Sequence, residues 1–76
     1  MITLLEEMQA QADCEKYISW RGKTCYRTHG DLSWYMLKCK QYLLTPEHVE
    51  CGNYTAKGNG FEFDYIEHDI IYAVGN

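Results

Sequence analysis

The segment FEFDYIEHDIIYAV, residues 61–74, constrains the fold more than any other part of the chain. Phe61, Phe63 and Tyr65 alternate with Glu62 and Asp64, and successive side chains on a strand point to opposite faces. One face therefore takes three rings and the other takes two carboxylates. The alternation breaks at Ile66, so Glu67 and His68 read as a tight turn or bulge into a second strand over 69–74. A ring-bearing sheet face needs a covering layer, and the upstream residues supply two candidates.

Thr3, Leu4, Leu5 and Glu6 form a capping-box pattern, in which the Thr3 hydroxyl and the Glu6 carboxylate satisfy each other's backbone N–H. Leu4, Leu5, Met8 and Ala12 then recur at helical spacing, which predicts a helix over 3–13. KYISW and TCYRT flank Arg21, Gly22 and Lys23, a hairpin pattern with Gly22 supplying a positive φ. Asp31 is a good N-cap, and Leu32, Tyr35, Met36, Cys39 and Leu43 predict a second helix over 31–44. Thr45 and Pro46 end it, and Pro46 is placed to begin one more helical turn that Gly52 and Asn53 stop. A strand over 53–57, a turn at Lys57, Gly58, Asn59 and Gly60, and the two C-terminal strands complete the chain. The expected fold is a small single α+β domain over 1–76, in the order α-β-β-α-β-β-β. Its sheet is mostly antiparallel, with two helices packed on one face. The recurrence of helix then hairpin also hints at an internal repeat.

Seventy-six residues hold one domain with a marginal core. Seven Tyr, two Trp and two Phe are too many large rings to hide in it, so several are expected at the surface. An aromatic patch of that kind makes a homodimer a candidate assembly. The N-terminal MITLLEEMQAQ lacks the basic region and apolar run of a signal peptide, and no segment approaches a membrane span. The expected location is the cytosol, where Cys14, Cys25, Cys39 and Cys51 are free thiols.

Charge is segregated along the chain. Residues 16–40 hold Lys16, Arg21, Lys23, Arg27, Lys38 and Lys40 against Asp31 alone, a balance of +5, whereas the rest holds ten acids against Lys57, a balance of −9. Such asymmetry bears on partners rather than on fold. Glu62, Asp64, Glu67 and Asp69, with Tyr72, are the candidate partner-binding residues. Alternate strand positions lie roughly 7 Å apart, near the spacing of successive phosphates, so an exposed acidic row can stand in for a nucleic-acid backbone. The alternative set is Arg21, Lys23 and Arg27 with Trp20, where cations and stackable rings share one hairpin as they do in single-strand binders.

Other chemistry finds little footing. Cys25, His29 and Asp31 are a thiol, an imidazole and a carboxylate close in sequence, but a strand residue and a helix cap have no reason to converge. Zinc ligands come in close pairs, whereas the cysteines here lie 11, 14 and 12 residues apart, with His48 three before Cys51. No catalytic residue, metal or other cofactor, small-molecule substrate or membrane contact is expected. In size, acidity and tyrosine content the chain resembles the short acidic proteins that phages and mobile elements encode to block host machinery, anti-CRISPR proteins and DNA mimics among them. That resemblance implies a non-enzymatic inhibitor that occupies a basic surface of a host nucleic-acid-handling protein or ribonucleoprotein. A small nucleic-acid-binding regulator working through residues 16–40 is the alternative.

Overall fold

The N-terminal cap forms as its residues dictate. In the computed structural model, which describes residues 2–75, the Glu6 N–H donates to Thr3 Oγ1 at 3.2 Å and the Thr3 N–H donates to Glu6 Oε1 at 3.3 Å. Helix α1 runs only from Leu4 to Gln9, shorter than the apolar spacing predicts. Residues 10–13 leave the helix because Asp13 is held elsewhere. Its carboxylate accepts from the Thr28 hydroxyl and from the His29 N–H, so Ala12 lies exposed instead of extending the apolar stripe.

Strands β1 (Glu15–Ile18) and β2 (Thr24–His29) form the predicted hairpin. Gly22 takes φ +80° at its tip, a conformation open to glycine at little cost. Helix α2 (Leu32–Gln41) begins where Asp31 accepts from the Trp34 N–H at 3.0 Å. It stops before Thr45 and Pro46 are reached. Leu43 adopts φ +58°, its N–H donates to the Lys40 carbonyl, and the Leu44 N–H donates to the Cys39 carbonyl at 2.7 Å. That is a Schellman closure with leucine where glycine is usual.

The helical turn expected after Pro46 does not form. Residues Glu47–His48 are instead a short strand, β3, paired with β4 (Tyr54–Gly58). Cys51 and Gly52, both at positive φ, reverse the chain so that sheet bonds satisfy this backbone in place of helical ones. Strands β5 (Phe61–Ile66) and β6 (Asp69–Val74) carry the predicted boundaries. The Glu67 and His68 pair joining them lies at φ +47° and +68°, the left-handed turn that matches the twist of a two-residue hairpin.

The six strands form one antiparallel sheet in the order β1-β2-β6-β5-β4-β3. The last strand is thus inserted between the first hairpin and the second half of the chain. Both helices pack on the face that carries Phe61, Phe63 and Tyr65. Leu4 and Met8 from α1 and Tyr35 and Cys39 from α2 meet Ala56, Phe63, Tyr65 and Ile70 in the core. Tyr35 is its centre. Its ring stacks on Phe63 with centroids 4.8 Å apart, and its hydroxyl donates to the Phe63 carbonyl at 2.6 Å, so a buried phenol keeps a partner. Burial holds that phenol well above the usual tyrosine range. Phe61 lies across Gly58, where an added Cβ would come within 2.2 Å of the ring. A carboxylate bridges the helices: Glu7 accepts from the Lys38 ammonium and from the Tyr42 hydroxyl. Those two bonds hold Glu7 below the usual carboxylate range, and the one to Glu7 pushes Tyr42 up to about 12. No helix among the described residues is long and apolar enough to cross a membrane.

Candidate interaction surface

The second face of the sheet has no helix over it. Antiparallel register places Tyr17 opposite Cys25, Cys25 opposite Ala73, Ala73 opposite Glu62, and Glu62 opposite Lys57. Residues 15 and 17, 25, 27 and 29, 69, 71 and 73, and 62, 64 and 66 share this open face because each lies at alternate positions of its strand. Here the strands enclose a trough of about 540 Å³, lined in part by Tyr17, Trp20, Glu62, Asp64, Ile66 and Ile71. Its lining mixes apolar side chains with charged ones. Trp20 stands at the hairpin tip, 88% exposed, with the Arg21 guanidinium 4.8 Å from its ring centroid.

The acidic residues do not form the exposed row their alternation predicts. Glu62 and Asp64 are half-buried, because neighbours on a sheet face cover one another. The Lys23 ammonium lies 3.5 Å from Glu62, and Thr55 donates its hydroxyl to Asp64. Burial, opposed by that Thr55 bond, raises the Asp64 carboxyl above the usual carboxylate range. Asp69 pairs with His29 Nδ1 at 2.6 Å. Glu67 is exposed in the turn, its N–H donating to the Asn53 side chain at 3.2 Å. Tyr72 does not join them. It lies on the helix-covered face, stacked on Phe61 at 4.6 Å.

The basic set arrives on the same open face. Arg27 donates to Glu15 at 2.7 Å and lies 5.7 Å from the Tyr17 ring centroid, while Lys23 reaches Glu62. Charges segregated in sequence are therefore interleaved in space, because β2 sits beside β6 and one strand from β5.

Cys25, His29 and Asp31 are engaged separately. The Cys25 thiol donates to the Lys23 carbonyl, His29 pairs with Asp69, and Asp31 caps α2. All four cysteines are unpaired; Cys25 and Cys39 are buried, and Cys51 is exposed. Among the described residues no three His, Cys, Asp or Glu side chains gather in a group that could hold a metal ion.

Sequence reasoning missed a second depression, of about 650 Å³, at the end of the core. Ile2, Leu43, Leu44, Phe61, Lys57 and Tyr72 are among its lining residues, and Leu43 is 91% exposed at its rim. The available signal was Leu43 itself, an apolar residue at the C-terminal edge of a helical stripe where the chain must turn. No family model, curated protein or solved structure matches this chain.

Proposed function

We propose that this protein is a non-enzymatic binding protein that docks its open sheet face on a basic surface of a nucleic-acid-handling protein or ribonucleoprotein and so blocks it. The observation that carries this reading is the convergence of Trp20, Tyr17 and Ile66 with Glu62 and Asp64 around one trough. Apolar anchors inside a charged rim are the anatomy of a protein interface, with aromatic residues supplying most of the energy. Around the trough Glu62 and Asp64 meet Arg21 and Lys23 in equal number, so the preference for a basic partner rests on the −4 carried by the chain as a whole.

Affinity capture from the source cytosol with wild-type protein, Trp20→Ala and Glu62→Lys tests the proposal. Wild type should retain basic nucleic-acid-handling proteins, and added DNA should release them. Either substitution should remove the same proteins. Capture indifferent to both substitutions and to DNA sinks the reading. A second reading, direct binding of single-stranded nucleic acid, is favoured by the exposed Trp20 ring beside Arg21. It requires a labelled oligonucleotide to bind wild type in a salt-dependent way and to lose Trp20→Ala.

A further inference from the structure

We infer that β1 is the pairing edge for a second copy of this chain, joined strand to strand about a two-fold axis through Tyr17. The Ser19 N–H donates to the Lys23 carbonyl at 2.8 Å, so residue 19 turns its backbone inward to the hairpin. Bonding direction alternates along an antiparallel strand, which sends residues 15 and 17 inward as well. Lys16 and Ile18 then present their N–H and C=O groups outward. Strand β1 is an edge of the sheet, and all four of its residues are exposed. Such unpaired groups are a template for another strand. The opposite edge, β3, has only two residues.

The occupant follows from which registers the edge allows. An axis between two residues would set a helix-side residue of one copy beside an open-face residue of the other, mixing the faces. An axis at residue 16 opposes Lys16 to its own copy, which repels. An axis at residue 18 carries the pairing into Trp20, which belongs to the turn. An axis at Tyr17 pairs Lys16 with Ile18 of the second copy, and Ile18 with its Lys16. Four backbone hydrogen bonds form, no like charges meet, and Glu15 faces Ser19. The two Tyr17 rings become a close non-hydrogen-bonded cross-strand pair, an arrangement aromatic residues favour. Ile18, 62% exposed, gains the aliphatic stem of the opposing Lys16 to cover it. The result is a continuous sheet of twelve strands, twice the six of one copy, with all helices on one side. This assembly shares Tyr17 with the open-face trough but does not rest on what that face binds.

Light scattering across a wide concentration range should give about 18 kDa, twice the 8.9 kDa of one chain. Ile18→Pro removes an outward N–H and leaves the inward ladder intact, so it should return a monomer with unchanged circular dichroism. Cysteine cross-linking fixes the register without proline. In a Cys14→Ser, Cys25→Ala, Cys51→Ser background, which removes the thiol opposite position 17 in the same chain, Tyr17→Cys should form an intermolecular disulfide at least tenfold faster than Glu15→Cys, since a close cross-strand pair meets disulfide geometry. A wild type that stays monomeric leaves the edge to some other protein's strand and overturns the inference. So does a dimer that survives Ile18→Pro in folded form, or equal cross-linking at positions 15 and 17. Should Ile18→Pro unfold the chain, the cross-linking ratio alone decides.

Discussion

Leu43→Gly should stabilise this protein, although it deletes a large apolar side chain. Leu43 sits at φ +58° after α2, and L-residues other than glycine incur about 1–2 kcal/mol in the left-handed region. Two terms oppose the gain. Glycine frees the unfolded chain, which costs about 0.4–1 kcal/mol. Lost burial is small: fully burying a leucine is worth about 1.5–3 kcal/mol, and this one is 91% exposed. About 0.2 kcal/mol goes that way. The net expectation is a gain of about 0.5 kcal/mol, or about 2–4 °C in Tm for a domain of this size. Urea unfolding should show a higher midpoint at unchanged slope. Leu43→Ala is the control, since it removes the same side chain and keeps the backbone strain. Leu43→Gly must be the more stable of the two. If alanine equals or exceeds glycine at this position, the helix end is not strained and the argument fails. If glycine also weakens binding to a partner, the exposed leucine is retained for contact, as strained residues often are.

The remaining predictions concern buried polar groups and pH. Tyr35→Phe should cost about 1–2 kcal/mol in urea unfolding, because it removes the donor to the Phe63 carbonyl in the core without changing ring packing. Glu7 and Asp13 are held below the usual carboxylate range, Glu7 by Lys38 and Tyr42 and Asp13 by the Thr28 hydroxyl and the His29 N–H. The unfolded chain takes up their protons first. Their contribution is therefore whole above about pH 5 and lost as pH falls through about 4 and below, and Glu7→Gln should flatten that acid limb. Asp64 runs the other way. Its carboxyl is raised mainly by burial, so its contribution falls as pH rises through its titration. Asp64→Asn, which still accepts from Thr55, should gain stability relative to wild type between pH 3 and pH 7, measured by Tm at both. If its charge serves binding, the same variant should bind a basic partner more weakly at pH 7.

Local rules on the page of residues were enough for much of this fold. The capping box at Thr3, the N-cap at Asp31, the positive φ at Gly22 and the boundaries of β5 and β6 all appear where composition and spacing place them. Each depends on contacts within a few residues, so a short window of sequence contains its cause. Element ends failed where a distant partner intervened. Helix α1 stops early because Asp13 bonds to β2, and the segment after Pro46 is a strand because β4 lies beside it. The surface was the least legible part. Alternation alone correctly put Glu62 and Asp64 opposite the rings, but it could not say that β6 inserts beside β2. That single long-range pairing brings Lys23 to Glu62 and His29 to Asp69, turns two charge blocks into one mixed face, and leaves β1 at the edge of the sheet. Strand order follows from the burial of the whole ring-bearing face under two helices, and only the assembled tertiary structure contains that term.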